Sequence, residues 1–387
     1  MTTNLTNSTN KVPNVPPLRF PEFTGEWEKS TLGGIADIVG GGTPETDRKE
    51  YWNGEIIWYT PSEIGKNKYS SDSERHITQE GLDNSSAKLL PSGTILLSTR
   101  ATIGESSIAL NKCTTNQGFQ SLIAQRGIYH EFLYYLIATK KHELVRRACG
   151  STFLEISANE VRKVPVLVPS FKEQYKLSTF LGLIDQRIET QNKIIEDLRL
   201  LILGVNKRLF YIYNYNSTEY VQLGEIATIT NGANDVQDAN LEYTDGLYPF
   251  YDRSETIKFL DTYFLDKEAI IYPGEGSEFF PRYHNGKFAL HQRCYAIYDV
   301  REEYVVKYLY YYMQNLNNYF IRNAVGSTVS SLRLDTFKRV RIPILSKIEQ
   351  TKICNVLDSL SNKLQIEQNC LSKYQSQKQY LLQQMFI

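Results

Sequence analysis

Groups able to do covalent chemistry are present in this sequence, but none falls at a catalytic spacing. Neither Gly65-Lys66 nor Gly286-Lys287 is followed by Ser or Thr, so no phosphate-cradling P-loop occurs. Gly274-Glu275-Gly276 lacks the spacing of a dinucleotide turn. No Glu is followed two positions later by Lys, and the Asp version, Asp47 to Lys49, has no Pro-Asp upstream, which removes the usual metal-dependent nuclease signature. The Asn/Asp-Pro-Pro-aromatic run of amino-methyltransferases is also absent, since Pro16-Pro17 follows a valine. The five histidines show no zinc pattern. The five cysteines, at 113, 149, 294, 354 and 370, are odd in number and contain no Cys-x-x-Cys, so buried thiols are expected rather than a metal ribbon or disulfide framework. His291 is the best single candidate for a catalytic role, and a hydrogen-bonding or contacting residue on a strand edge is the favoured reading of it. The chain reads as a binder, not an enzyme.

The elements that position its polar residues are written twice. Apolar residues fall at 177, 181, 184 and 188, then Gln191, then 195, 198, 202, 205 and 209, the alternation of four and three that marks a coiled-coil seam. Adding 176 to each gives Ile353, Leu357, Leu360, Leu364, Glu367, Leu371, Tyr374, Lys378, Leu381 and Met385, with the polar interruption in the same place. Two such helices in one chain are expected to zip antiparallel into a rod of about 50 Å at 1.5 Å per residue. In that register Leu181 faces Leu381, Ile188 faces Tyr374, Leu198 faces Leu364 and Val205 faces Leu357. Gln191 and Glu367 then fall in adjacent central layers as a register lock, the alternative being that both point to solvent. Lys378, opposite Ile184, is expected to extend outward along its stem.

Ahead of each helix stands a mixed α/β stretch with its motifs in the same order. Leu32-Gly33-Gly34-Ile35 returns as Leu223-Gly224-Glu225-Ile226, FLYYLI at 132–137 as YLYYYM at 308–313, and Gly-Ser-Thr at 150–152 again at 326–328. A basic strand carrying proline and then Glu-Gln, at 173–174 and 349–350, lead into each helix. The reading divides the chain into a flexible tail (1–17), a globular unit (18–170), a long helix (171–213), a second unit (214–346) and a second helix (347–387).

Composition sets further bounds. Of 387 residues, 41% are hydrophobic and 22% charged, ordinary values for a soluble chain of two or three domains. With no run of 18 apolar residues and no basic-then-apolar leader, no membrane span is expected and the cytoplasm is the default location. The 43 Lys and Arg balance 43 Asp and Glu, and the first globular stretch, 20–170, carries 16 basic against 18 acidic residues. A nucleic-acid grip resting on bulk charge is therefore not expected; it would need local patches or a basic partner.

The Leu-Gly-x-Ile entry at 32 and 223, Ile103-Gly104, Asn116-Gln117-Gly118-Phe119, the Gly-Ser-Thr repeat, the proline-bearing strand and Glu-Gln before a long helix together resemble the specificity subunits of type I restriction-modification enzymes, from about residue 18 to the end. The resemblance implies two target recognition domains, each reading half of a split site in double-stranded DNA, joined by two antiparallel helices in a pseudo-twofold repeat. It implies two methyltransferase subunits docked on those helices and bringing the S-adenosylmethionine site, with motor-nuclease subunits joining for cleavage. No cofactor is expected in this chain. The second unit departs from the pattern, with TNGAND and HQRC in place of Gly-Gly-Thr-Pro and Asn-Gln-Gly-Phe. Rival readings are a stand-alone sequence-specific DNA-binding regulator and a scaffold that touches only protein.

Arg pairs with guanine, and Asn or Gln with adenine, through paired hydrogen bonds in the major groove. On that chemistry the expected DNA-binding residues are Thr43, Tyr59, Ser62, Glu63, Lys66, Thr99, Arg100 and Gln117 in the first unit. In the second they are Asn231, Asn234, Arg253, Ser254, Glu275, Ser277, Arg282 and Arg293. Arg146, Arg147, Lys338, Arg339 and Arg341 are candidates for phosphate contacts, whereas Trp27, Trp52 and the tyrosines of 132–137 and 308–313 are expected in the core.

Overall fold

The computed structural model describes residues 14–100, 102–150, 154–216, 219–235 and 239–387. It divides into two compact units, 1–190 with 371–387, and 191–370. The expected tail, 1–17, falls largely outside the described residues, as do Ser151 and Thr152 of the first Gly-Ser-Thr. Residues 14–17 are not loose: Trp27 N donates to Asn14 O at 2.7 Å and Pro16 is buried.

The Leu-Gly-x-Ile entries form single helical turns, Leu32–Ile35 and Leu223–Ile226, whose Leu and Ile are buried. The glycine is required by close approach. A Cβ on Gly33 would sit 2.9 Å from Arg162 Cβ, and one on Gly224 would sit 2.9 Å from Lys338 Cβ. The preceding leucine is fixed in each unit by a backbone bond, Leu32 N to Val164 O and Leu223 N to Val340 O, both 2.9 Å. Arg162 and Lys338 lie on short helices (Ala158–Arg162, Leu334–Lys338), so the basic runs read as strands are helix ends, with the strands beginning at Pro165 and Arg341.

In the first unit a five-stranded sheet runs in the order Ala36–Gly40, Gln120–Ala124, Ile95–Leu97, Ser106–Ala109, Tyr69–Ser70. A three-stranded sheet places Trp52–Tyr59 between His76–Ile77 and, in parallel, Cys113–Thr115. The second unit joins the corresponding strands into one six-stranded sheet: Thr228–Asn231, Cys294–Tyr298, Leu265–Pro273, Arg282–Leu290, Tyr248–Tyr251, Lys258–Leu260. Of the expected core aromatics, Trp27, Trp52, Tyr135, Tyr308, Tyr311 and Tyr312 are buried, while Tyr134 and Tyr310 are half-buried. Cys113, Cys294 and Cys354 are buried thiols, but Cys149 is exposed and Cys370 half-buried.

The long helices run Phe171–Asn216 and Lys347–Met385, and every seam position is buried or half-buried. In the first unit Leu177 and Leu181 share a core with Leu381 and Met385; in the second, Val205 and Leu209 pack on the core that holds Ile353 and Leu357. That is the antiparallel pairing the period predicts. Gln191 is buried, and its Nε2 donates to Glu367 O at 3.1 Å and Glu367 Oε2 at 2.5 Å. Lys378, expected to extend outward, is instead half-buried and paired with the half-buried Asp185 at 2.6 Å.

The Glu-Gln pairs lock each helix to its unit. Gln174 accepts from Tyr129 N at 2.9 Å and donates to Gly127 O and Pro169 O at 3.2 and 3.0 Å. Gln350 repeats this with Val305 N, Glu303 O and Leu345 O at 2.8, 3.0 and 2.9 Å. Both glutamines are buried, so each amide satisfies backbone groups that would otherwise be orphaned.

Candidate nucleic-acid interface

Glycine brings the first unit's polar loops together. A Cβ on Gly41 would lie 2.1 Å from Asn116 O and 2.3 Å from Thr115 O, so only glycine lets this strand end approach the next. Gly42 N then donates to Thr115 O at 2.8 Å, and Thr43 Oγ1 donates to the exposed Gln117 Oε1 at 2.5 Å. Ser62 is exposed, 3.0 Å from Thr60 Oγ1. Lys66 is exposed with no side-chain partner among the described residues. Arg100 is exposed and pairs with Glu155 at 2.9 Å.

Three expected contacts of this unit face inward. Tyr59 is 1% exposed, its hydroxyl pKa pushed up by burial, because alternation along Trp52–Tyr59 turns it into the core beside Cys113 and Phe119. Thr99 is fully buried, and both its N–H and its hydroxyl donate to Gly118 O. Glu63 closes a capping box instead of reading a base. Its carboxylate accepts from Thr60 N, Thr60 Oγ1, Ser73 Oγ and Glu74 N at 2.7, 2.7, 2.8 and 2.9 Å. Burial raises its pKa, and those hydrogen bonds more than reverse this, leaving it below the ordinary carboxylate value.

The second unit repeats the framework. A Cβ on Gly232 would lie 2.1 Å from Leu290 O, and Ala233 N donates to that oxygen at 3.1 Å. On the loop this anchors, Asn231 is exposed and Asn234 half-buried, its Oδ1 without a partner among the described residues. Arg253 and Ser277 are exposed, without side-chain partners among the described residues. Arg293 Nη1 sits 3.0 Å from both oxygens of Glu275. Ser254 and Arg282, expected as contacts, are instead structural. Ser254 N and Oγ bond to Asp252 Oδ1 at 2.7 and 2.5 Å, and Arg282 Nη2 bonds to Asp252 O and Ser254 O. Asp252, which no motif pointed to, is 5% exposed and paired with Lys258 at 2.6 Å. Burial raises its pKa, but Lys258 and Ser254 outweigh that and lower it. His291 accepts from Arg293 N at 3.1 Å through Nδ1, which gives it a turn-forming place.

Hydrogen bonds identify equivalent positions. Thr99 N bonds to Gly118 O and Gly274 N to Arg293 O, both at 2.9 Å, while Ile156 N reaches Thr99 O at 3.2 Å and Leu332 N reaches Gly274 O at 2.8 Å. The next residues, Arg100 and Glu275, therefore occupy the same place with opposite charge. Of the phosphate candidates, Arg146 and Arg147 pair with Glu143, Arg339 lies 4.0 Å from Asp335, and Arg341 lies over the Tyr220 ring. Lysine 287 was missed by sequence reasoning: its ammonium lies 4.7 Å from the Tyr263 ring centroid and 5.7 Å from that of Tyr248. Among the described residues no His/Cys/Asp/Glu group could hold a metal, and no helix is long and apolar enough to cross a membrane.

Comparison with known proteins gives a consistent result. Residues 24–200 and 216–373 each match the type I restriction modification DNA specificity domain. The chain is 36% identical over 230 residues to the type I restriction enzyme MjaIX specificity subunit of Methanocaldococcus jannaschii, covering 54% of this chain and 53% of that protein. It is 31% identical over 175 residues to the EcoR124I/EcoR124II specificity subunit of Escherichia coli, 43% of each. The chain thus spans about half the length of these relatives or less. The crystal structure of a type-I restriction-modification S subunit from M. genitalium shares the fold, with TM-score 0.60 at 19% identity over 96% of this chain and 99% of that one. A chain from a structural study of complex assembly and conformational transition of the type I R-M system does so with TM-score 0.59 at 16% identity, over 93% and 97%.

Proposed function

This chain belongs to the type I restriction-modification DNA specificity family, and from that premise we propose that each of its units reads one half of a bipartite double-stranded DNA target. The observation that carries the reading is a duplicated framework with unlike side chains at matching places. Gly41 and Gly232 seat the same loop on the neighbouring strand, while Arg100 in one unit is answered by Glu275 in the other. Related scaffolds presenting different hydrogen-bonding groups at equivalent places suit two readers with different half-sites, because base contacts specify and phosphate contacts position.

The chain itself is non-catalytic in this reading. Methyl transfer comes from two methyltransferase subunits that carry S-adenosylmethionine and dock on the paired helices, and cleavage comes from motor-nuclease subunits. The near-neutral charge fits such a division, since a partner that wraps the duplex supplies the phosphate contacts this chain lacks in bulk. The test is methylation mapping of DNA from a cell that carries this chain with its cognate methyltransferase. Two short methylated half-sites separated by a fixed unread gap are expected; one continuous motif would refute the proposal.

A further inference from the structure

Arg75 has no place among the contacts expected from sequence, yet its surroundings set it apart. It is exposed, on the segment leading into the strand His76–Ile77. Its guanidinium carbon lies 3.7 Å from the Trp52 ring centroid and 5.1 Å from that of Trp58. The two indoles meet edge to face at 5.1 Å, and each is anchored by its own N–H, Trp52 to Glu45 O at 3.1 Å and Trp58 to Gly42 O at 2.9 Å. The backbone of Arg75 is held as well, its O accepting from Trp58 N at 3.0 Å and its N donating to Ser73 Oγ at 3.2 Å.

What the guanidinium lacks is an acceptor. Among the described residues no carboxylate or carbonyl receives its N–H groups, whereas Arg19, Arg100 and Arg147 are bound to Glu173, Glu155 and Glu143. An arginine stacked on an aromatic face keeps its in-plane donors directed outward in a fixed fork. The second unit supplies a control. Phe250 pairs with Ala289 as Trp58 pairs with Thr114, and the residue opposite Phe250 is Lys258, whose charge is taken up by the buried Asp252. In the first unit Thr60 stands two residues after Trp58, where Asp252 stands two after Phe250, so the matching cation is left free.

The platform is also tied to the polar loops. Gly42, which receives the Trp58 N–H, immediately precedes Thr43 and its bond to Gln117. We propose that Arg75 is a DNA-contacting residue of the first unit, held by Trp52 and Trp58 so that its fork engages a pair of acceptors on the duplex. Guanine O6 and N7, or two phosphate oxygens, offer that pair. The inference rests on the reading of this unit as a DNA reader.

The test uses the full chain assembled with its cognate methyltransferase, comparing wild type, R75Q and R75K by methylation mapping, by DNA binding as a function of salt, and by thermal melting. If the acceptor is guanine, R75Q relaxes one position of one half-site by about 5- to 140-fold, the discrimination a bidentate pair supplies, and R75K does not restore it. If it is phosphate, R75Q weakens binding to all sequences alike and makes the salt slope shallower by about 1, and R75K restores both. Either result supports the contact. An unchanged target, affinity and salt slope in folded R75Q, or, should R75Q fail to fold, in R75M, which keeps an apolar stem over the indoles without the charge, would overturn it and leave Arg75 as a cover for the indoles. A wild-type complex that methylates no bipartite site would instead refute the two-reader proposal, independently of Arg75.

Discussion

Replacing Glu63 with Gln removes one acceptor oxygen and should expose how firmly the 60–75 loop is held. Each carboxylate oxygen receives one backbone N–H and one hydroxyl: Oε2 from Thr60 N and Oγ1, Oε1 from Glu74 N and Ser73 Oγ. Whichever way a glutamine turns, its NH2 faces one of those pairs. A hydroxyl can rotate away, but the backbone N–H cannot. An orphaned donor costs about 1–3 kcal/mol; with the carboxylate partly open to water the lower end applies, about 1.5 kcal/mol. For a unit of this size each kcal/mol moves Tm by about 2–4 °C, so E63Q should melt roughly 3–6 °C lower at pH 7. The pH dependence has a definite sign. The folded-state pKa of Glu63 is depressed, so its contribution is fully present above the unfolded value of about 4.3 and is lost as pH falls through the folded value. The gap between wild type and E63Q should therefore close below about pH 4.3. Scanning calorimetry across pH 3–7 measures it. Equal melting at pH 7, or a gap as wide at pH 3, would refute the reasoning.

Other perturbations test other links. Gly232→Ala should destabilise by roughly 1–3 kcal/mol, because its Cβ would meet the backbone of Leu290 and His291. Gly204→Ala, mid-helix with nothing within 4 Å, should stabilise by roughly 1 kcal/mol, and opposite shifts of Tm check the pair. Changing Gln191 and Glu367 together to Leu removes both partners of the central polar pair, so the helices should melt no lower than wild type while methylation mapping shows more than one gap length. Exchanging residues 20–170 for those of a relative should alter one half-site and leave the other intact, read by the same mapping. The purified chain alone should transfer no methyl group to DNA, as a radiolabel assay would show.

What the sequence determined is what depends on residues close together along the chain. The seam from Leu177 to Leu209 and its copy 176 residues later follow from helical period, and the structure buries or half-buries each position. The repeated Leu-Gly-x-Ile, the Glu-Gln pairs and the absence of catalytic spacings were legible in the same way. Which polar residues face outward was not. Tyr59 and Thr99 lie in strand and strand-end segments whose facing is set by the partner strand, and Ser254 and Arg282 turn inward because Asp252 gathers them. Arg75 is separated from Trp52 by 23 positions, and only the antiparallel pairing of their strands lays a guanidinium on an indole. Period and composition are local properties, whereas a side chain's partner is decided by backbone pairing between distant segments, and only the tertiary structure makes that pairing.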